Sequence, residues 1–124
     1  MTPREAISIC DRLRPNAYSF AEKELWLREL EARIGEELVN THEGGEDFLS
    51  GRTEEHDDAP LYVAIPHESL YLYYLLARID QMNGETARYN ESAAMFNAQY
   101  ESYCAWYNRT HRPKGTHVDV KEDA

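Results

Sequence analysis

The sequence predicts an all-α protein: a small four-helix bundle with a long acidic loop and an extended C-terminal tail. Three observations carry that prediction. Residues 67–109 contain no proline and a single glycine, Gly84. Within them Tyr89, Ala93, Phe96, Tyr100, Tyr103 and Tyr107 recur at steps of four and three, the stripe of one helix face packed on a partner. Nearer the N-terminus, Thr2 with Glu5 and Ser19 with Glu22 each have the spacing of a capping box, in which side chain and backbone satisfy one another at a helix start.

Helix one is expected over 3–13. Pro3 suits its first turn, Ala6, Ile9, Cys10 and Leu13 form its apolar face, and Pro15 stops it. Helix two, over 19–40, turns Leu27, Leu30, Ile34 and Leu38 inward and keeps Arg28, Glu29, Glu31, Glu36 and Glu37 on the wet side. Trp26 lies beside that stripe, either closing the core edge or anchoring an interface. The loop, 41–66, opens with seven acidic residues and one arginine over 41–58; only Phe48 and Leu49 could anchor that stretch, so it is expected to be mobile. Residues 60–66 read as a short extended piece that could pair as an edge strand.

Helix three, over 67–83, is apolar nearly all round, from Leu70 to Ile79, so it is buried from several sides or meets another subunit. It is too short and too rich in tyrosine to span a membrane. Asn83-Gly84 marks its end, and helix four follows over 85–109. A small-residue stripe there, Ala87, Ala94, Ala98 and Ala105, would let a neighbouring helix approach closely. Helices three and four should lie antiparallel, sharing Leu75, Ile79, Ala93, Phe96 and Tyr100. One domain thus covers 1–110, and the tail, 111–124, has no periodicity and reads as extended or disordered.

A chain of 124 residues can bury roughly two thirds of its unfolded surface in one core. A formal net charge of −10 argues against coating or reading nucleic acid, an affinity that rests on Lys and Arg at phosphates. It is compatible with a negative wall past which DNA slides. Nine tyrosines against three phenylalanines suit half-buried surfaces and interfaces. Cys10 and Cys104 lack any CxxC or metal spacing and read as reduced, sheltered thiols. The opening residues lack the apolar core of a signal peptide, which points to the cytoplasm or to a particle assembled there.

No constellation argues for catalysis, and no cofactor or metal is expected. Glu54, Glu55, His56, Asp57 and Asp58 offer donors but lack the pattern of a calcium loop. His67-Glu68 lacks the second histidine of a zinc-protease helix, and no nucleophile elbow or phosphate loop occurs. Asp80, Asn83, Arg88, Asn90 and Asn97 punctuate the central helices, either as internal hydrogen bonds or as a patch that registers copies against each other. The cationic cluster lies at the C-terminal end, where Trp106, Tyr107, Arg109, His111, Arg112 and Lys114 join Trp26 as candidate partner contacts. The helix dipole alone would also favour cations there.

These residues have a further likeness. The first helix followed by Arg14-Pro-Asn16, the Trp-containing acidic helix and the extended piece at 61–65 resemble small proteins of prophage structural cassettes in Gram-positive bacteria. So do the stretch from Pro66 to Tyr71, Ala77-Arg-Ile-Asp80, Gly84-Glu85, Arg88-Tyr-Asn90, Met95-Phe-Asn97 and Trp106-Tyr-Asn-Arg-Thr-His111. More broadly the chain is similar to head-tail connectors, the head-completion adaptors that form a ring under the portal and join it to the tail. The resemblance implies a non-enzymatic virion protein, assembled in the host cytoplasm, whose partners are other copies of itself, the portal protein and neighbouring connector or tail proteins. Read from the residues alone, a small cytoplasmic binding or regulatory protein that grips a peptide or helix is the other expectation.

Overall fold

A computed structural model describes residues 1–43 and 59–114. Among them are four helices: α1 (Pro3–Leu13), α2 (Phe20–Glu37), α3 (Ser69–Met82) and α4 (Thr86–Thr110), with a 3₁₀ turn at Val39–Thr41 after α2. The expected all-α fold is present. Residues 44–58 and 115–124, and with them most of the acidic run and of the tail, lie outside the described residues.

Both capping boxes form. The Glu5 amide donates to Thr2 Oγ1 at 3.2 Å and the Thr2 amide to Glu5 Oε1 at 3.0 Å. Ser19 and Glu22 repeat the exchange at 3.1 and 2.8 Å. Each box satisfies two amides that the helix itself cannot, so each start is fixed locally. The break between α3 and α4 is equally local. Gly84 has φ +72°, and although open space surrounds the position a Cβ would take, that left-handed backbone itself disfavours any other residue.

Helix α3 is the centre of the bundle. Leu70, Tyr71, Leu75 and Ile79 are fully buried, and α3 packs against α1, α2 and, most extensively, α4. Its apolar residues are thus mostly covered within the chain, with Leu72, Tyr73 and Tyr74 half-buried. The α4 stripe faces it: Phe96, Tyr100, Tyr103 and Tyr107 are buried, and Ala93 lies at the margin. The pair runs antiparallel, with Ser92 near the start of α4 meeting Asp80 near the end of α3, and Tyr103 meeting His67 just before α3 begins. The alanine stripe Ala87, Ala94, Ala98 and Ala105 faces out.

Several expectations are corrected. The inward face of α1 is Pro3, Ala6, Ile7 and Cys10, while Ile9 is half-buried and Leu13 exposed. The helix turns this way because Arg14, four residues past Cys10, reaches the carboxylate of Asp80, itself only 1 % exposed. Ser92 completes that group, its hydroxyl donating to Asp80 Oδ2 at 2.9 Å. Lys23 is buried too, its ammonium donating to Asp11 at 2.6 Å and Asn16 at 3.0 Å, so the linker between α1 and α2 is tied to both.

The largest correction concerns Glu31, expected on the wet face and found 3 % exposed. The Tyr71 hydroxyl donates to its Oε2, and the Tyr62 amide lies 3.3 and 3.4 Å from its two oxygens. Tyr71 in turn accepts the Val63 amide at 2.8 Å, and the Leu61 amide donates to the Met1 carbonyl at 2.8 Å. Residues 60–66 are accordingly not a strand. The Leu61, Tyr62 and Val63 amides are satisfied by helix side chains and the N-terminal backbone, while Leu61 and Val63 fill the core.

Two stability experiments test this packing. Phe96→Ala should lower the unfolding free energy in urea by about 3–5 kcal/mol, the range for emptying a buried aromatic site. Glu31→Ala, which strips Tyr71 and Tyr62 of their acceptor, should cost about 2–3 kcal/mol. Glu36→Ala on the solvent face should move stability by no more than about 0.5 kcal/mol. Equal losses at 31 and 36 would place Glu31 back on the surface.

Candidate functional site

The C-terminal end of α4 is where buried and exposed aromatic chemistry meet. Tyr103 and Tyr107 point into the bundle, and Trp106, between them in sequence, is 36 % exposed. Past Thr110 the chain doubles back and stays on the body. The His111 ring stacks flat on Tyr107, with centroids 3.7 Å apart and planes 3° apart. The Glu43 amide donates to the Arg112 carbonyl and the Lys114 amide to the Thr41 carbonyl, both at 2.9 Å, around an antiparallel bridge between His42 and Pro113. Residues 111–114 therefore belong to the folded domain, which the sequence ended at 110.

His42 holds this junction from beneath. Its buried ring has Nδ1 2.6 Å from the Leu38 carbonyl and Nε2 2.8 Å from Asn108 Oδ1, and it meets Tyr107 edge-on at 4.9 Å. The end of α2, the end of α4 and residues 111–114 are joined through one imidazole. On the other side of Trp106, His67 packs 5.4 Å from Tyr103 and 5.5 Å from Trp106. Between these layers lies an open hollow of about 240 Å³, walled by Tyr62, His67, Trp106 and His111 and rimmed by Ile65, which is 78 % exposed.

The candidate contacts divide accordingly. Trp106, Tyr107 and His111 come together at the hollow, with Tyr107 buried as its inner wall. Arg109, Arg112 and Lys114 are exposed near it, Arg112 at 3.7 Å from Glu43. Trp26 does not join them. It is 5 % exposed, with Arg78 5.0 Å above its ring and Tyr18 5.7 Å away, so it closes the core edge and offers little to a partner. The sequence reading missed Tyr62, Ile65 and His67 as parts of this surface and His42 as its buried support; each sits in a connection, and no local pattern links them to α4.

The hollow offers stacking faces, hydroxyls and two imidazoles, and no carboxylate, thiol or aliphatic hydroxyl lines it. Burial pushes the Tyr103 hydroxyl well above the ordinary phenol range, with the neighbouring Tyr62 adding to the effect; Tyr107 is raised likewise, by burial and then by its contact with Tyr62. Both stay neutral in ordinary buffers. Among the described residues no group of three or more His, Cys, Asp or Glu could hold a metal ion, and no helix is long and apolar enough to cross a membrane. Comparison with protein-family models, with curated proteins and with solved structures gave no match.

The cysteines carry a direct test of the packing. Burial, and after it the charge of Asp11, pushes the Cys10 thiol up to about 12, and burial also raises the half-buried Cys104. At pH 8 only roughly one Cys10 in ten thousand is then thiolate, the reactive form. A disulfide reagent should label Cys104 first and Cys10 only as the protein unfolds, the two rates converging in denaturant. Equal rates in native buffer would show that Cys10 is accessible.

Proposed function

We propose that the chain is a non-enzymatic connector of a phage or prophage virion, assembling with copies of itself and with the portal, and that the C-terminal end of α4 is its docking face. The single observation that carries the docking face is the exposed pairing of Trp106 and Ile65 around an aromatic hollow, with Arg109 and Arg112 beside it on a chain of net charge −10. Tryptophan and arginine recur among the residues that dominate protein interfaces, and a cationic patch on an acidic protein orients the approach of acidic partners. The connector role itself rests on the resemblance of the motifs from Arg14 to His111.

Because residues 111–114 are tied to 41–43, deleting the chain from His111 onward would damage the fold as well as any contact. Substitution is the cleaner experiment. Arg109→Glu should leave the circular dichroism unchanged and weaken capture by purified portal rings, more at about 50 mM salt than at about 500 mM, because exposed charges are screened. Trp106→Ala should weaken capture at both. A folded Trp106→Ala, Arg109→Glu double variant that binds portal and assembles as well as the parent would overturn the assignment of this face.

A further inference from the structure

A second site lies in the seam between α2, α3 and α4, sharing no residue with the aromatic hollow. Its distinctive groups are two arginines held against rings. The Arg33 guanidinium sits 4.7 Å from the Tyr100 ring centre and 5.7 Å from that of Phe96. Arg78 sits 5.0 Å from Trp26 and 5.9 Å from Tyr74. Tyr74 and Phe96 pack 5.3 Å apart, so an aromatic wall runs from one cation to the other. Both border one cavity of about 230 Å³ with Ala77 and Ala93 among its lining and with Gln81 and Asn97 adding amide groups.

We infer that this seam binds a carboxylate carried on a short apolar stem. A guanidinium has five N–H donors in a planar fork that matches a carboxylate. Each arginine here commits only part of that fork within the chain. Arg33 uses Nε on Glu37 at 3.1 Å, and Arg78 uses Nη1 on Glu29 at 3.3 Å and on the Tyr74 hydroxyl at 3.2 Å. The remaining donors have no partner among the described residues, and Glu29 and Glu37 stand half exposed outside the cavity. Stacking on rings already restrains both side chains, so less ordering entropy is lost when they close on a ligand. Alanine and phenylalanine in the lining accept an apolar stem, and no carboxylate lines the cavity to repel an anion. The carboxylate can belong to a free organic acid or to the C-terminal residue of a polypeptide.

The probe that tests this is phenylacetate, with acetate and phenethylamine as controls, followed by the methyl resonances of Ala77 and Ala93 and by calorimetry on the full chain. Phenylacetate should bind with a Kd of about 1 mM or tighter, acetate more weakly, and phenethylamine not at all. Arg33→Met and Arg78→Met should each weaken it about tenfold or more. Should either methionine variant fail to fold, Arg33→Lys and Arg78→Lys keep the charge and lose the fork, and should still reduce affinity. A short peptide ending in phenylalanine, compared with its amide, separates the sources. Carboxylate-dependent binding tighter than phenylacetate supports a polypeptide end, and binding no tighter than phenylacetate supports a free acid. Methyl shifts absent with every carboxylate, phenethylamine binding as well as phenylacetate, or folded arginine variants binding unchanged would each overturn the site. None of these outcomes depends on whether portal capture is observed.

Discussion

The carboxylate of Glu31 is the constraint around which the remaining structure is arranged. A charge 3 % exposed is costly unless hydrogen bonds replace the water it has lost. Here those bonds come from two donors more than thirty residues further along the chain, the Tyr71 hydroxyl of α3 and the backbone amide of Tyr62. Satisfying the carboxylate therefore fixes how α2 sits on α3 and where the chain enters α3. Burial pushes the Tyr71 phenol far above its ordinary range, and the adjacent Glu31 charge raises it further, so Tyr71 remains a donor to Glu31 while accepting from Val63.

Asp80 plays the corresponding part at the other end of the bundle. It collects Arg14 from the end of α1 and Ser92 from α4, so the α3–α4 turn is stapled to the N-terminal helix. Between these two polar nodes the packing is apolar and aromatic. Tyrosine serves it well because each ring fills the core while its hydroxyl reaches a polar partner: Tyr71 on Glu31, and Tyr100 on Glu37 at 2.9 Å. Four of the tyrosines, Tyr71, Tyr100, Tyr103 and Tyr107, are thus consumed inside the chain, and exposed tryptophan surface emerges at Trp106, beside His67.

What could be read in the sequence follows the range of the interaction that decides it. Both helix starts, the stop at Gly84 and the α4 stripe are local. A residue and its neighbours within four positions determine them, and the observed bounds fall within three residues of those expected. Glu31, Lys23, Asp80 and His42 are decided by partners distant in sequence, as His42 and Asn108 illustrate at sixty-six residues apart. A glutamate with Glu29 and Arg33 two positions to either side on an amphipathic helix looks solvated until Tyr71 is known to face it. The same reason hid the hollow. Its α4 wall, Trp106 to His111, was legible as a cluster, while Tyr62, Ile65 and His67 arrive there only because Glu31 and Tyr71 draw residues 60–66 against the bundle.

The placement of positive charge extends this logic to the surface. Arg14 and Lys23 are drawn inward to carboxylates, and Arg33 and Arg78 sit over rings in the α2–α3–α4 seam. Arg109 and Arg112 remain exposed at the far end of α4. In a chain of net charge −10, identical copies repel one another over most orientations. In the proposed assembly, attraction would favour orientations that bring the α4 end of one copy to an acidic face of another. A contact between two different faces is heterologous, and heterologous contacts propagate into rings when their rotation closes. Trp106 and Ile65 at that same end supply apolar area that charge alone would lack. Direction and adhesion in the proposed assembly would then come from one end of one helix, beside a connection that the buried Glu31 holds in place.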